Sequence, residues 1–357
     1  MIYLDNAATT LQKPPQVARA MAAAQTVFQC RQTAAQLFSV PDPEQVVITC
    51  NATHALNLAI HSLLGEGDTV LISGYEHNAV TRPLHRIPNL TLKVAAAPPF
   101  DAEAILSAFE EQLTPEVRAV IVTHVSNVFG FVLPVEEIAE LCREREVPLL
   151  VDASQSAGSL EVSLRGWGAA FVAMPGHKGL YGPQGTGLLL CDHPAQPLLA
   201  GGTGSESLLQ EMPEFLPDRL EAGTANLPGI AGLLEGLRFV QGKGTKRIHA
   251  YEQELLLQLR EGLGRLPGVE VFASPAPERQ SAVLSFRVPG WDSEELGQRL
   301  AQRGIALRAG LHCAPLAHES AGTLETGTVR VSVSAFTQRR DIQGFLRELS
   351  LALSFSP

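Results

Sequence analysis

The chain has 357 residues, 45% of them hydrophobic and 18% charged, and a formal net charge of −10. At roughly 150 residues per domain this is room for two domains and a large core, the profile of a soluble globular protein. The acidic balance argues against a nucleic-acid or anionic-membrane partner, and no apolar run reaches the roughly 18 residues of a transmembrane helix.

The start, Met1-Ile2-Tyr3-Leu4-Asp5, lacks the basic opening and apolar core of a signal peptide. Ile2 to Leu4 reads as a short edge strand, followed by a small-residue polar loop, Asp5 to Thr10. Pro14 and Pro15 open a helix, and the spacing of Val17, Met21, Ala24, Phe28, Ala35 and Phe38 carries it unbroken to about Phe38. Val46 to Thr49 is a strand, and Asn51-Ala52-Thr53 caps a helix running to Leu64. A strand that feeds a helix N-terminus through small residues makes a phosphate seat, although a plain N-cap has the same signature.

Thr69 to Ser73 is the next strand and ends in Gly74-Tyr75-Glu76-His77-Asn78. Asp101 to Gln112 is a helix, Ala119 to Val125 a strand ending in Ser126-Asn127, and Val135 to Glu144 an amphipathic helix. The strand Leu149 to Val151 ends on Asp152, and the apolar run Ala169 to Met174 ends in Pro175-Gly176-His177-Lys178-Gly179. Strands alternating with helices mean βαβ units and a mostly parallel sheet, an α/β fold. Ligands bind such sheets at the carboxyl ends of the strands. Asn51-Ala52-Thr53, His77, Asn127, Asp152 and Lys178 all fall at such ends. Thr186 to Cys191 is a further strand, and Ala200 to Asn226 is a long irregular segment, which in a compact domain is usually functional or disordered.

A helix from Leu227 to Val240 is interrupted at Gly242-Lys243-Gly244, where the pattern changes to α+β. A long helix reaches Leu266. Strands follow at Val269 to Phe272, Ala282 to Arg287, Ile305 to Ala309 and Thr328 to Val333, with helices at Ser293 to Arg303 and Gln338 to Leu353. This divides the chain into a large domain, residues 14–240, and a smaller α+β domain formed by residues 1–13 and 241–357.

Five cysteines, Cys30, Cys50, Cys142, Cys191 and Cys313, are odd in number and scattered, with no CxxC pair. They suit a reduced cytoplasmic protein, and no metal site is expected. Cys313 stands in Arg308-Ala309-Gly310-Leu311-His312-Cys313-Ala314. A free cysteine is more often a small buried hydrophobe, but Arg308 and His312 beside it favour the thiolate. Arg330, inside an apolar strand, needs an anion: a substrate carboxylate bound bidentately or a structural partner. Taken singly, Asp152 reads equally well as a helix cap and Lys178 as a solvated surface residue. Together, an Asp that keeps a pyridine nitrogen protonated and a Lys that bonds an aldehyde are the pair a pyridoxal phosphate site needs.

The chain resembles the cysteine desulfurases of the class V aminotransferase group, pyridoxal phosphate enzymes of fold type I. The resemblance spans nearly the whole chain: Tyr3 to Thr9, Glu76-His77-Asn78, His124 to Asn127, Val151 to Gln155, Gly176-His177-Lys178, Glu221 to Thr224, and a Cys313 loop like that of the short-loop group. It implies a seven-stranded, mostly parallel sheet with a smaller C-terminal domain, and a role for each matching residue. Lys178 would hold the cofactor covalently and then move protons. Asp152 would bond the ring nitrogen, His77 stack on the ring and Gln155 bond the phenolic oxygen. Ala52, Thr53 and His177 would hold the phosphate, and Thr224 the phosphate of a neighbouring subunit in a homodimer. Asn127 and Arg330, with Arg308, would bind the carboxylate of L-cysteine. Cys313 would take the sulfur as a persulfide, releasing alanine, and pass it to an acceptor protein. Selenocysteine lyase, cysteine sulfinate desulfinase, another class V activity or a degenerate non-catalytic homologue are the alternatives. Two departures stand out. Pro175 replaces a hydroxyl residue of the phosphate site, for which Ser154, Ser156 or Thr203 are substitutes. Ala22-Ala23-Ala24 runs straight into Gln25-Thr26-Val27 where the family inserts a loop.

Overall fold

The computed structural model describes residues 2–5, 13–15 and 27–354. A seven-stranded sheet has the order β2-β8-β7-β6-β5-β3-β4. Its strands are β2 (Val46–Thr49), β3 (Thr69–Ser73), β4 (Thr91–Ala95), β5 (Val117–Thr123), β6 (Leu149–Asp152), β7 (Phe171–Pro175) and β8 (Gly187–Cys191). β3 to β7 run parallel to one another, and β8 is antiparallel to both strands beside it, β7 and β2.

Both faces are buried, which explains why the central strands read as continuous apolar runs. Val120 and Val122 point into one core with Ile105, Phe109, Ile138 and Leu233. Their neighbours Ala119 and Ile121 point into the other, with Leu56, Ile60, Val80 and Leu84. Alternate side chains of a strand leave on opposite sides, so one run feeds two layers of helices. The first helix expected, from Pro14 to Phe38, is described over α1 (Val27–Leu37). Residues 16–26, with the Ala22-Ala23-Ala24 stretch, lie outside the described residues, as do Asn6 to Thr10.

A third core packs α8 (Thr245–Gly264), α9 (Ser293–Gln302) and α11 (Arg339–Leu353) against the four-stranded sheet β12-β13-β10-β9. Its strands are β9 (Glu270–Phe272), β10 (Val283–Arg287), β12 (Arg308–Gly310) and β13 (Thr328–Ser332). The helix α7 (Leu227–Lys243) runs past Val240 and is parted from α8 by Gly244, at φ +80°. The single strand expected over Ile305 to Ala309 is two. β11 (Ile305–Ala306) pairs in parallel with β1 (Ile2–Tyr3), and β12 pairs antiparallel with β13. The chain changes partners at Leu307, and a periodicity carries no record of that.

Six short elements were not expected. These are the helix α3 (Asn78–His85), which tolerates Pro83, the half-exposed edge strand β4, the single-turn helix α6 (Leu164–Trp167), α10 (Pro315–Ser320), and the 3-10 turns Pro43–Gln45 and Pro277–Arg279. Each is short or built of mixed residues, so its apolar pattern is weak. Residues 200–226 contain no helix or strand, as expected.

Candidate active site

Five strand ends meet at one cavity of about 190 Å³. The end of β2 delivers Asn51, Ala52 and Thr53. Asn51 caps the helix α2 (Ala52–Leu63), its side chain accepting the His54 N–H at 2.9 Å. The N–H groups of Ala52 and Thr53 in the first turn have no helical acceptor, and both residues line the cavity. That makes an anion seat. β3 delivers His77, β5 Thr123 and Asn127, β6 Asp152, Ser154 and Gln155, and β7 Pro175, His177 and Lys178.

Two backbone approaches bring the Asp152 and Lys178 loops together. Gly158, at φ +100°, lies so close to the Gly179 carbonyl that a Cβ would stand 2.0 Å from its oxygen, and a Cβ on Gly179 would stand 2.2 Å from the Ala157 oxygen. Neither position accepts a side chain.

The electrostatics follow from burial. Lys178 is half-buried, and desolvation pushes its amine down to about 8, with Asp152 pulling it back up. Asp152 is 3% exposed, and its Oδ1 accepts the Ser154 N–H at 2.9 Å. His77 caps α3. Its Nδ1 accepts the Ala79 N–H at 2.9 Å, so the hydrogen of the neutral ring is on Nε2. Burial, and then Lys178, hold that imidazole down to about 4. The cavity therefore offers an anion seat, a carboxylate, an uncharged flat ring and an amine held near neutrality.

Beneath His77 lies a carboxyl whose role sequence reasoning missed, although Glu76 stood in one of the matching stretches. Glu76 accepts the Ser73 hydroxyl at 2.5 Å and the Thr123 N–H at 2.8 Å. Thr123 is in register with Asp152 across β5 and β6, so Glu76 braces the strand that carries the site. Burial, with help from Asp152, pushes its carboxyl from 4.5 up to about 8. An acid held above its ordinary value gives full stability below the unfolded value and loses it as pH rises through the folded one. Between about pH 4.5 and 8 the native protein therefore loses on the order of 4 kcal/mol at this residue. Glu76→Gln copies the protonated acid. It is expected to melt level with the parent near pH 5 and roughly 5–10 °C above it near pH 9, as calorimetry reads. Equal melting temperatures at both pH values would show Glu76 to be ionised.

Cys313 lies outside this cavity, on an exposed turn at its rim. His312 and Cys313 are both left-handed, at φ +51° and +58°. The turn is held by two residues of the cavity side. The Asn78 N–H donates to the Cys313 carbonyl at 2.8 Å, and Asn127 Nδ2 donates to the His312 carbonyl at 2.8 Å. Cys50 is also exposed, whereas Cys30, Cys142 and Cys191 are buried, and burial pushes the Cys30 and Cys142 thiols up to about 12. The expectation that His312 favours the Cys313 thiolate does not hold. His312 is 6% exposed, its Nε2 lies 3.1 Å from the Thr328 carbonyl oxygen, and burial and Arg330 hold it well below its ordinary value, so it carries no charge.

Arg330 is buried, and in this chain its anion is Asp5. Its Nη2 donates to Asp5 Oδ1 at 2.8 Å, and its Nη1 donates to the Asn127 carbonyl at 2.9 Å. Asp5 gets there because Leu4 hydrogen-bonds both Ala306 and Ser332, wedging the N-terminal strand against β13. Thr224 and Arg308 are not brought into the cavity. Thr224 is exposed and lines a separate cavity with Cys50 and Asn226, and Arg308 is exposed on β12 opposite Arg330. Glu221, of the same stretch as Thr224, makes a bidentate pair with Arg31 at 2.6 and 2.7 Å, a structural tie. Of the three substitutes for the hydroxyl lost at Pro175, Ser154 lines the cavity. Ser156 Oγ is turned to the Ala153 carbonyl, and Thr203 Oγ1 lies 3.0 Å from Ser205 Oγ. Among the described residues no three His, Cys, Asp or Glu side chains gather to hold a metal, and no helix is long and apolar enough to cross a membrane.

The aminotransferase class-V family model matches residues 18–345. A probable cysteine desulfurase of Mycolicibacterium paratuberculosis is 34% identical over 97% of this chain, which spans only 54% of that protein's length. A probable cysteine desulfurase of Xylella fastidiosa is 33% identical over 98% of this chain and 90% of its own. Among solved structures, the apo cysteine desulfurase of Thermococcus onnurineus superposes with a TM-score of 0.88 at 29% identity, covering 99% of this chain and 95% of that one.

Proposed function

The chain belongs to the class-V aminotransferase family and, within it, to the cysteine desulfurases, and on that premise we propose that it carries pyridoxal phosphate on Lys178 and moves sulfur from L-cysteine to Cys313. The observation that carries this reading is the convergence of Lys178, Asp152 and His77 on one cavity whose rim holds the Cys313 turn. The residues present fit the cofactor. Ala52 and Thr53, with His177 and Ser154, would hold its phosphate, and Asp152 would pair with its ring nitrogen. His77 offers a flat uncharged face and Gln155 a bond to the phenolic oxygen. When bound, the cofactor supplies an electron sink for the carbon next to the substrate's amino group.

The chain's own residues do the rest. Lys178, with its amine near neutrality, both gives and takes a proton at Nζ. Asn127 and Arg330 orient the substrate carboxylate, Asp5 yielding part of the guanidinium to it. The Cys313 thiolate attacks the substrate sulfur. The carbon–sulfur bond breaks, a persulfide forms on Cys313, and alanine leaves. Arg330→Lys replaces a planar fork by a point charge. It is expected to lower kcat/KM for L-cysteine by about 10²-fold, chiefly through KM, with the cofactor's absorption unchanged. An unchanged KM would leave Arg330 as the partner of Asp5 alone.

Residues 14–240 form the large domain in this reading, and residues 1–13 and 241–357 the small one. Thr224, exposed and outside its own chain's cavity, is assigned to the cofactor phosphate of a second copy in a homodimer. The persulfide goes to an acceptor protein in the cytoplasm. The test is release of alanine and sulfide from L-cysteine by the cofactor-loaded protein with a thiol reductant. Equal amounts of both are expected. Release of neither from a yellow protein would move the assignment to another substrate, and failure to take up cofactor would mark a non-catalytic homologue.

A further inference from the structure

An open groove of about 460 Å³ lies beside the Cys313 turn. The last turns of α3, the edge strand β4, the loop between them and the start of α10 wall it. Two of these elements also hold the turn. Asn78, at the head of α3, donates its N–H to the Cys313 carbonyl at 2.8 Å, and Pro315 and Leu316 follow Cys313 directly in α10. The eight residues of α3 rise about 12 Å, so the groove begins within that distance of the thiol's turn. Its lining is mostly apolar. Leu84, Ile87, Leu90 and Leu316 pack down onto the core behind the sheet, whereas Leu92, on β4, leaves 44% of its surface in water. An apolar side chain of another molecule gains free energy by leaving water for such a floor.

Charge narrows the kind of molecule. No Asp or Glu lines the groove, and α3 contains none. Arg82 lines it, and Arg86 stands exposed at the end of α3. Arg308 is exposed on the strand that leads into the Cys313 turn. Among the described residues none of these three arginines has an ion-pair partner. In a chain of net charge −10 this is a local reversal of sign, which draws an acidic surface.

We propose that the groove docks the sulfur acceptor, an acidic protein that seats an apolar side chain between α3 and β4 and presents its receiving thiol to Cys313. The inference rests on the reading of Cys313 as the persulfide carrier. The acceptor's thiolate attacks the outer sulfur of the Cys313 persulfide. The sulfur–sulfur bond breaks, a persulfide forms on the acceptor, and Cys313 keeps the electron pair as a thiolate. One persulfide and one thiolate enter the step and one of each leaves it, so no oxidant or reductant is needed.

The test measures sulfur transfer from L-cysteine by the holoenzyme to two synthetic cysteine peptides. Each carries a leucine four residues from its cysteine, about 13 Å when extended. One is flanked by glutamates and the other by lysines. The chain's net charge alone favours the lysine peptide, so the opposite preference would belong to the patch. The glutamate peptide is expected to be persulfidated about tenfold faster, with the difference shrinking as salt is added. Arg82→Glu should abolish that preference, and Leu92→Asn should slow both peptides about fivefold. Both side chains are exposed, and alanine release with dithiothreitol as the acceptor should stay at the parent's rate in both variants. A lysine peptide as fast as the glutamate one, or variants within about twofold of the parent with the glutamate peptide, would overturn the proposal. So would a change in the sedimentation of either variant alone, which would make the groove a contact between copies of this chain. No alanine release by the parent with dithiothreitol would overturn the proposed function and this inference with it, whereas normal release without the peptide preference would overturn the inference alone.

Discussion

Lys178→Ala is expected to yield a folded protein that no longer retains cofactor after borohydride reduction and has lost about 10³-fold or more of its turnover. The position explains the size of the effect. Lys178 leaves a turn in which Gly176 and Gly179 permit close backbone packing, and among the described residues it is the lysine that lines the cavity. The other amine nearby, Lys13, is directed to the His177 carbonyl at 3.4 Å. Folding is expected to survive, because the amine is a costly buried group and removing it relieves desolvation. Melting temperature should therefore stay level or rise while bound cofactor disappears. A variant that kept turnover above a tenth of the parent's would show that Lys178 is not the attachment point.

Cys313→Ala is expected to separate the two halves of the chemistry. Cofactor uptake and colour should match the parent, since Cys313 lies outside the cavity that holds Lys178 and Asp152. Alanine and sulfide release should both fall by on the order of 10³-fold, because breaking the carbon–sulfur bond needs a nucleophile on the sulfur. Little stability should be lost, as the side chain is exposed and the turn is held through backbone carbonyls. The left-handed φ of His312 and Cys313 marks the turn as strained, and such strain persists only where its surroundings enforce it. Here the enforcers are Asn78 and Asn127, so the substrate side and the sulfur-accepting side share two anchors. Full turnover in this variant would exclude a persulfide on Cys313.

The parallel sheet and the Lys178–Asp152–His77 convergence were legible because strand ends carry their ligands and long apolar runs announce the strands. The motifs around them are local in sequence, so residue type and spacing sufficed. The same held for the break at Gly244 and for the irregular stretch after Ala200. What depended on partners far along the chain was not legible. Asp5 claims Arg330 across 325 residues, which no periodicity encodes. His312 looked like a cation beside a thiol and is instead neutral, because charge state follows burial, and burial is set by packing. The split of the Ile305 to Ala309 strand followed from a change of pairing partner. Glu252, an unremarked acid on an amphipathic helix, is buried in the fold, and that burial raises its carboxyl to about 8. Local chemistry and periodicity are properties of neighbouring residues and survive in the sequence. Ion pairs, protonation states and cavities are properties of distances between remote residues, and those exist only once the cores have formed.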